Sequence, residues 1–137
     1  MGGGTTQGAR AISIAKDVES HGAMGVVLNA PVTNENLAGV AESVDIPVVI
    51  TVTSEKTDIA ARLEAGAAIL NVAAAERTPE VVRKIRQDFP GVPIIASGGG
   101  KPETILETIE AGANAITYTP PTAQELFKRM MSRYRDF

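Results

Sequence analysis

Short hydrophobic runs recur along the chain, and longer segments with a helical spacing of apolar positions lie between them. The runs are rich in valine and isoleucine and are apolar at nearly every position, which is typical of strands buried on both faces of a parallel sheet. The alternation of helices and strands therefore predicts an α/β domain. We predict five strands, over residues 25–31, 47–53, 68–73, 93–98 and 115–119.

Helix-forming segments separate these strands, and their ends carry capping signals. Gly22, Gly66 and Gly112 each follow a predicted helix, where a residue in the left-handed conformation commonly ends it. Thr122 with Glu125 three residues later is a capping box for the last helix. The helices are predicted over residues 10–20, 34–43, 56–64, 79–88, 102–110 and 123–134.

An internal repeat indicates which parallel fold is present. Residues 46–67 and 92–113 align without a gap, with Pro47 on Pro93 and the letters Glu-Ala-Gly-Ala closing both segments. The repeating unit is two strand–helix modules, the organisation of a (β/α) repeat fold. A whole (β/α)8 barrel takes about 250 residues. We therefore predict that residues 1–137 form a single domain, a partial TIM barrel that lacks the first three strands; a flavodoxin-like, doubly wound sheet is the alternative.

Residues 92–122 resemble the C-terminal quarter of phosphate-binding TIM barrels, a group that includes indole-glycerol-phosphate synthase, thiamine-phosphate synthase and N-acetylmannosamine-6-phosphate epimerase. The resemblance rests on Val-Pro-Ile-Ile-Ala-Ser-Gly-Gly at 92–99 and Glu-Ala-Gly-Ala-Asn-Ala-Ile at 110–116. It implies a phosphate held by glycine amides after one strand and by a glycine-rich turn after the next. Here the second turn holds Pro120 and Pro121, which have no N–H to donate.

The glycine run before the helix at 102–110 is the best candidate for an anion site. Free backbone amides and the positive end of a helix dipole favour an oxyanion there, and a lysine adds a charge. The predicted phosphate-binding residues are Ser97, Gly98, Gly99, Gly100, Lys101 and Thr119.

Polar residues lie where the predicted strands end, and they share a face with apolar residues earlier in each strand. In a barrel that face points inward, and its polar tips reach the catalytic mouth. We predict that these side chains converge on one ligand, with Ser97 and Thr119 beside them. The predicted substrate-binding residues are Asn29, Thr51, Thr53 and Asn71.

Catalytic residues are not identified by the sequence. No predicted strand carries a lysine or ends in a carboxylate, so Glu55 and Glu76, in loops after strands, are the nearest general-base candidates. The expected function is the C-terminal portion of an enzyme acting on a small phosphorylated or anionic metabolite, with isomerase, lyase and hydrolase chemistry all open. The alternative is a non-catalytic half-barrel or flavodoxin-like module, natural or engineered, inactive alone.

A second resemblance concerns the first helix. Residues 6–12, Thr-Gln-Gly-Ala-Arg-Ala-Ile, are similar to a segment of flavodoxin-like cobalamin-binding domains. Those domains bind cobalt through the histidine of Asp-x-His-x-x-Gly, whereas Asp17 and His21 here have a different spacing. We therefore predict no cobalamin. With one histidine and no cysteine in the chain we also predict no metal, and no other cofactor is predicted.

Composition narrows the remaining classes of partner. Thirteen basic and sixteen acidic residues leave a net charge of −3, which does not favour nucleic acid. No cysteine is present to form disulfides or thiolate metal sites. With no apolar run of membrane-spanning length, the expected localisation is cytoplasmic. Solvated faces of outer helices are expected for Arg83, Lys84, Arg86, Lys128, Arg129, Arg133 and Arg135.

Five strands cannot close an eight-stranded barrel, so the sheet should have two open edges and an uncovered inner face. Burying four apolar side chains of that face would contribute about 6–12 kcal/mol. We therefore expect a homodimer that covers it. The four side chains are Val27, Val49, Ile69 and Ile95.

Overall fold

The computed structural model describes residues 2–29, 32–97, 102–117 and 122–135. Helices and strands alternate along it as predicted, and the strands are shorter than predicted. The strands are β1 (Val26–Leu28), β2 (Val48–Val52), β3 (Ile69–Val72), β4 (Ile94–Ser97) and β5 (Ala115–Thr117). The helices are α1 (Gly2–Ser20), α2 (Asn34–Ser43), α3 (Ile59–Glu64), α4 (Thr78–Asp88), α5 (Pro102–Glu110) and α6 (Ala123–Arg135).

The five strands form one parallel sheet in which each pairs with the next along the chain, in the order β1-β2-β3-β4-β5. Right-handed crossovers between sequential parallel neighbours place every connecting helix on the same face of the sheet. A doubly wound sheet needs a reversal of strand order, and none occurs. The partial-barrel prediction is confirmed, and the flavodoxin-like alternative is wrong.

The hydrophobic core lies between the sheet and the helices. Ile50, Leu70 and Ile94, from three neighbouring strands, are almost completely buried there with Leu37 of α2 and Val82 of α4. Burial of one such side chain contributes about 2 kcal/mol. The core therefore covers the outer face of the sheet, as the helices of a barrel do.

The inner face of the sheet is less open than the sequence analysis expects. Val27 on the edge strand β1 is 47% exposed, but Val49 on the next strand is only 5% exposed. Ile69 and Ile95 are half-buried. Because a curved sheet draws the side chains of its concave face together, the apolar surface left on this face is concentrated at the edge.

Three helix starts differ from the prediction: α3 begins at Ile59 rather than at residue 56, and α1 and α4 begin earlier than predicted. α1 begins at Gly2, well before residue 10, and a side chain at the buried Gly8 would lie 2.6 Å from Asn36 Oδ1. Glycine there permits α1 to pack closely on α2. Thr78 is the first residue of α4 and is buried; its hydroxyl accepts a hydrogen bond from Ala74 N at 2.9 Å, fixing the preceding loop.

The capping glycines are confirmed, with φ angles of 92° at Gly22, 121° at Gly66 and 118° at Gly112. At Gly66 a side chain would also lie 2.5 Å from Ala41 Cβ. Among the described residues, no helix combines the length and the apolar character needed to cross a membrane.

Candidate functional site

The polar side chains singled out in the sequence follow the carboxyl ends of neighbouring strands. The sheet register places Thr51 of β2 beside Asn71 of β3, and Asn29 comes directly after β1, which pairs with β2. Parallel strands end at the same edge of a sheet, so these three side chains lie in one row across it.

Hydrogen bonds join the three side chains into a chain that we call the Asn–Thr–Asn row. Asn71 Nδ2 donates to Thr51 Oγ1 at 3.3 Å, and Thr51 Oγ1 donates to Asn29 Oδ1 at 2.9 Å. A hydroxyl has one proton to give, so the bond to Asn29 fixes the direction of the row. The sequence predicted these residues at one site, and the structure brings them into direct contact.

The two ends of the row have different environments. Asn29 is exposed, and with its Oδ1 occupied by Thr51 its Nδ2 amide makes no hydrogen bond to the described residues. At the other end, Asn71 Oδ1 is buried without a hydrogen-bond partner among them. An exposed amide donor suits a ligand that presents oxygen acceptors. A buried acceptor without a partner lowers stability by about 1–3 kcal/mol.

Ser97 lies apart from this row. The residue beside Asn71 on β4 is Ile95, and Ser97 is one further step along the strand, opposite Thr117 of β5. Thr117 Oγ1 lies 3.4 Å from Ser97 Oγ. The polar strand ends therefore form two groups, which Ile95 separates. Thr117 was not predicted as a site residue, although it shares the parity of Thr119 in the predicted strand.

The other predicted binding residues do not join either group. Thr53, just after β2, is exposed and makes no hydrogen bond to the described residues. The remaining predicted phosphate-binding residues lie outside the described residues. They are Gly98, Gly99, Gly100, Lys101 and Thr119.

The two general-base candidates differ in their surroundings. Glu55 Oε1 accepts a hydrogen bond from Arg77 Nη2 at 2.7 Å, and the same guanidinium lies 3.1 Å from Glu80 Oε2. Glu76 is exposed in a 3₁₀ turn over Ala75–Arg77. The Arg77 guanidinium therefore links the loop after β2 to α4 through these two carboxylates. Arg77 was not predicted at this position, although its spacing of three residues from Glu80 is typical of an ion pair on one helix face.

His21 lies after α1, before the strands begin. Its Nδ1 is 2.7 Å from the backbone oxygen of Asp17, one helical turn earlier. Within the described ranges, no group of three or more histidine, cysteine, aspartate or glutamate residues could hold a metal ion.

A cleft of about 280 Å³ lies between the start of α3 and the side of α4. Ser54, Asp58, Lys84 and Phe89 line parts of it. Its walls include the helices that cover the outer face of the sheet, so it is separate from the Asn–Thr–Asn row.

Comparison with known proteins supports the fold. No protein-family model matches the chain, and no curated protein matches it. Two structures of mandelate oxidase variants, one with a monooxide FMN adduct, superpose with a TM-score of 0.70 at 18% and 20% identity. They align with 81% of this chain and with 46% and 45% of their own.

A protein named a phosphonomutase, from Burkholderia cenocepacia, superposes with a TM-score of 0.60 at 20% identity. That match covers 92% of this chain and 62% of the other. Both enzymes are TIM barrels, and the chain spans about half the length of the mandelate oxidases. The described structure is therefore that of a partial TIM barrel.

Proposed function

We propose that this chain is the C-terminal portion of a TIM-barrel enzyme and binds a small phosphorylated or otherwise anionic metabolite at the carboxyl ends of its strands. The observation that carries the proposal is the Asn–Thr–Asn row. In TIM barrels the carboxyl ends of the strands are where substrates bind and react. A fixed row of amide and hydroxyl groups at that edge is suited to orienting a ligand.

The direction of the row favours an anion. Thr51 holds Asn29 by its oxygen, which leaves the amide hydrogens of Asn29 facing solvent. Hydrogen bonds from such donors to a charged oxygen contribute about 1.5–3 kcal/mol each. The glycine run that precedes α5 in the sequence would add backbone amides and Lys101 from a neighbouring strand end.

The structural neighbours are compatible with this ligand class. One mandelate oxidase structure contains an FMN adduct, and FMN is a phosphate monoester. The Burkholderia protein is named for a phosphonate reaction. Both neighbours are thus described with a phosphorus oxyanion, which supports a phosphorylated ligand for this chain as well.

Titration of the isotope-labelled chain with inorganic phosphate, followed by NMR, tests the proposal. We expect the Asn29 side-chain amide and the Gly99, Gly100 and Lys101 backbone amides to shift first. Asn29→Asp should weaken phosphate binding about tenfold or more. The change keeps the size of the side chain but replaces the amide donor with a carboxylate, which repels the anion.

Gln87→Glu is the matched control, since it adds the same charge on an exposed position of α4. It should leave the phosphate affinity within about twofold of the unmodified chain. Equal loss in both variants, or largest shifts near His21 at the opposite end of the sheet, would contradict the proposed site.

A non-catalytic half-barrel, natural or engineered, is the second candidate, and one observation favours it. The five described strands carry no aspartate, glutamate, histidine or lysine, and the carboxylate of Glu55, in the loop after β2, is held by Arg77 at 2.7 Å. If phosphate shifts the NMR signals expected above, but the chain turns over neither phosphorylated sugars nor phosphonates, the result supports the non-catalytic half-barrel over the enzyme.

A further inference from the structure

The last helix presents an apolar face that nothing in the described structure covers. Every described side chain of α6, from residue 123 to residue 134, is exposed. Phe127 is 63% exposed and Tyr134 is 74% exposed. The large apolar residues recur at helical spacing, so they form one continuous face, which we call the α6 stripe. It consists of Leu126, Phe127, Met130, Met131 and Tyr134.

The neighbouring helix exposes a smaller apolar surface with an acidic border. Leu106 and Ile109 are about half exposed and lie three residues apart on α5. Three glutamates at helical spacing, all exposed, lie beside this pair. The acidic border of α5 consists of Glu103, Glu107 and Glu110.

The α6 stripe has the opposite charge at its borders. Arg129 and Arg133 lie one turn apart along one side of it, and Lys128 lies toward the other. None of the three forms an ion pair within the described ranges, and neither do the glutamates of α5. The two helices therefore offer apolar faces with complementary borders.

The exposed apolar area is close to what a stable dimer needs. At about 200 Å² for a large side chain, the exposed parts of the stripe and the Leu106–Ile109 pair total roughly 800 Å² per chain. A standard protein–protein interface buries about 800 Å² on each partner.

We propose that two copies of this chain form a symmetric dimer in which α6 of each copy packs on α5 of the other. The α6 stripe covers Leu106 and Ile109 of the second copy, and its basic borders lie against Glu103, Glu107 and Glu110. Within one chain both faces are exposed, so folding leaves them free for this exchange. The surface differs from the sheet face expected to dimerise, and it is independent of the proposed anion site.

Sedimentation velocity between about 1 and 100 µM tests the dimer directly, since interfaces of this size reach micromolar affinity or better. A mass near 28 kDa, twice the 14.3 kDa of one chain, is expected at the upper concentrations. Phe127→Glu should shift the chain to monomer. Its circular dichroism spectrum should be unchanged, because the side chain is exposed in the single chain.

A charge-exchange pair tests which helices meet. One variant carries Glu103→Lys, Glu107→Lys and Glu110→Lys; the other carries Lys128→Glu, Arg129→Glu and Arg133→Glu. Each alone should dimerise at least about tenfold more weakly, because like charges then face each other. An equimolar mixture should restore the dimer, since both contacts in the mixed pair become complementary again.

Three results would overturn the proposal. The first is a monomer at 100 µM. If the backbone amides of α6 are then protected from hydrogen exchange, that helix packs on α5 of its own chain. The second is a dimer that Phe127→Glu leaves intact, which places the interface elsewhere. The third is a monomer that binds vesicles of anionic phospholipid through α6, which identifies a membrane-surface helix.

Discussion

The two ends of the sheet satisfy their polar groups to different degrees. At the amino ends of β4 and β5, the guanidinium of Arg86 donates to several acceptors and leaves the surrounding carbonyls paired. At the carboxyl ends, the Asn–Thr–Asn row finishes on a buried oxygen of Asn71 with no described partner. In TIM barrels the amino end contributes stability and the carboxyl end carries function, and the proposed anion site of this chain lies at the less satisfied carboxyl end.

Arg86 is the centre of the amino end. It reaches the Gly112 carbonyl from Nε at 3.1 Å and from Nη2 at 2.7 Å. Its Nη1 donates to the carbonyls of Pro90 at 2.8 Å and Val92 at 2.7 Å, and Nη2 also donates to Asn114 Oδ1 at 2.8 Å. One side chain thus ties α4 to the segments that lead into two strands.

The largest expected effect comes from breaking this end. Arg86→Ala should lower the free energy of unfolding by about 3 kcal/mol, because carbonyls in a half-buried site lose a charged donor. Urea denaturation followed by circular dichroism measures the change. Arg83→Ala, on the exposed face of the same helix, should change stability by no more than about 0.5 kcal/mol. Similar losses in both would contradict the central role of Arg86.

A smaller effect of opposite sign is expected at the carboxyl end. Asn71→Leu removes a buried acceptor without a partner and keeps the side-chain volume, so stability should rise by about 1 kcal/mol. The same change should weaken phosphate binding, because Thr51 loses its donor and no longer holds Asn29 as firmly. Stability gained at the expense of binding identifies a functional residue.

Gln87→Leu is the control for Asn71→Leu, because it makes the same amide-to-leucine change at an exposed position of α4. Stability should change by no more than about 0.5 kcal/mol, and phosphate binding should stay nearly unchanged. If Asn71→Leu instead destabilised the chain, Asn71 would be a structural residue like Arg86, and the contrast between the two ends would fail.

The sequence predicts the helices and strands at both ends of the sheet better than it predicts the hydrogen bonds between their side chains. Gap-free repetition and capping glycines such as Gly66 predict the strands and helices, because periodicity and backbone conformation are local properties. Arg86 was expected on a solvated face, and this is wrong: its partners Gly112 and Asn114 are 26 and 28 residues away, beyond any local pattern. The Asn–Thr–Asn row was predictable from strand parity, whereas its hydrogen-bond direction depends on the register between strands.

The smallest expected effect concerns backbone strain, which also differs between the ends. Left-handed residues before the strands are glycines, whereas after β3 the position is taken by Ala75, with φ 53°. An alanine in this conformation costs about 1–2 kcal/mol, partly offset by the entropy that glycine loses on folding. Ala75→Gly should therefore raise the free energy of unfolding by about 0.5 kcal/mol, which urea denaturation detects as a higher midpoint.

Ala74→Gly is the matched control for that change, because Ala74 is the preceding residue and has φ −111°. With no strain to relieve, it should lower stability by about 0.5–1 kcal/mol through the added freedom of the unfolded chain. Opposite signs at adjacent alanines would locate stored strain at the carboxyl end, next to Glu76, where conformational cost is characteristic of functional loops. Equal losses would show that Ala75 is unstrained and that the loop after β3 is as relaxed as the amino end.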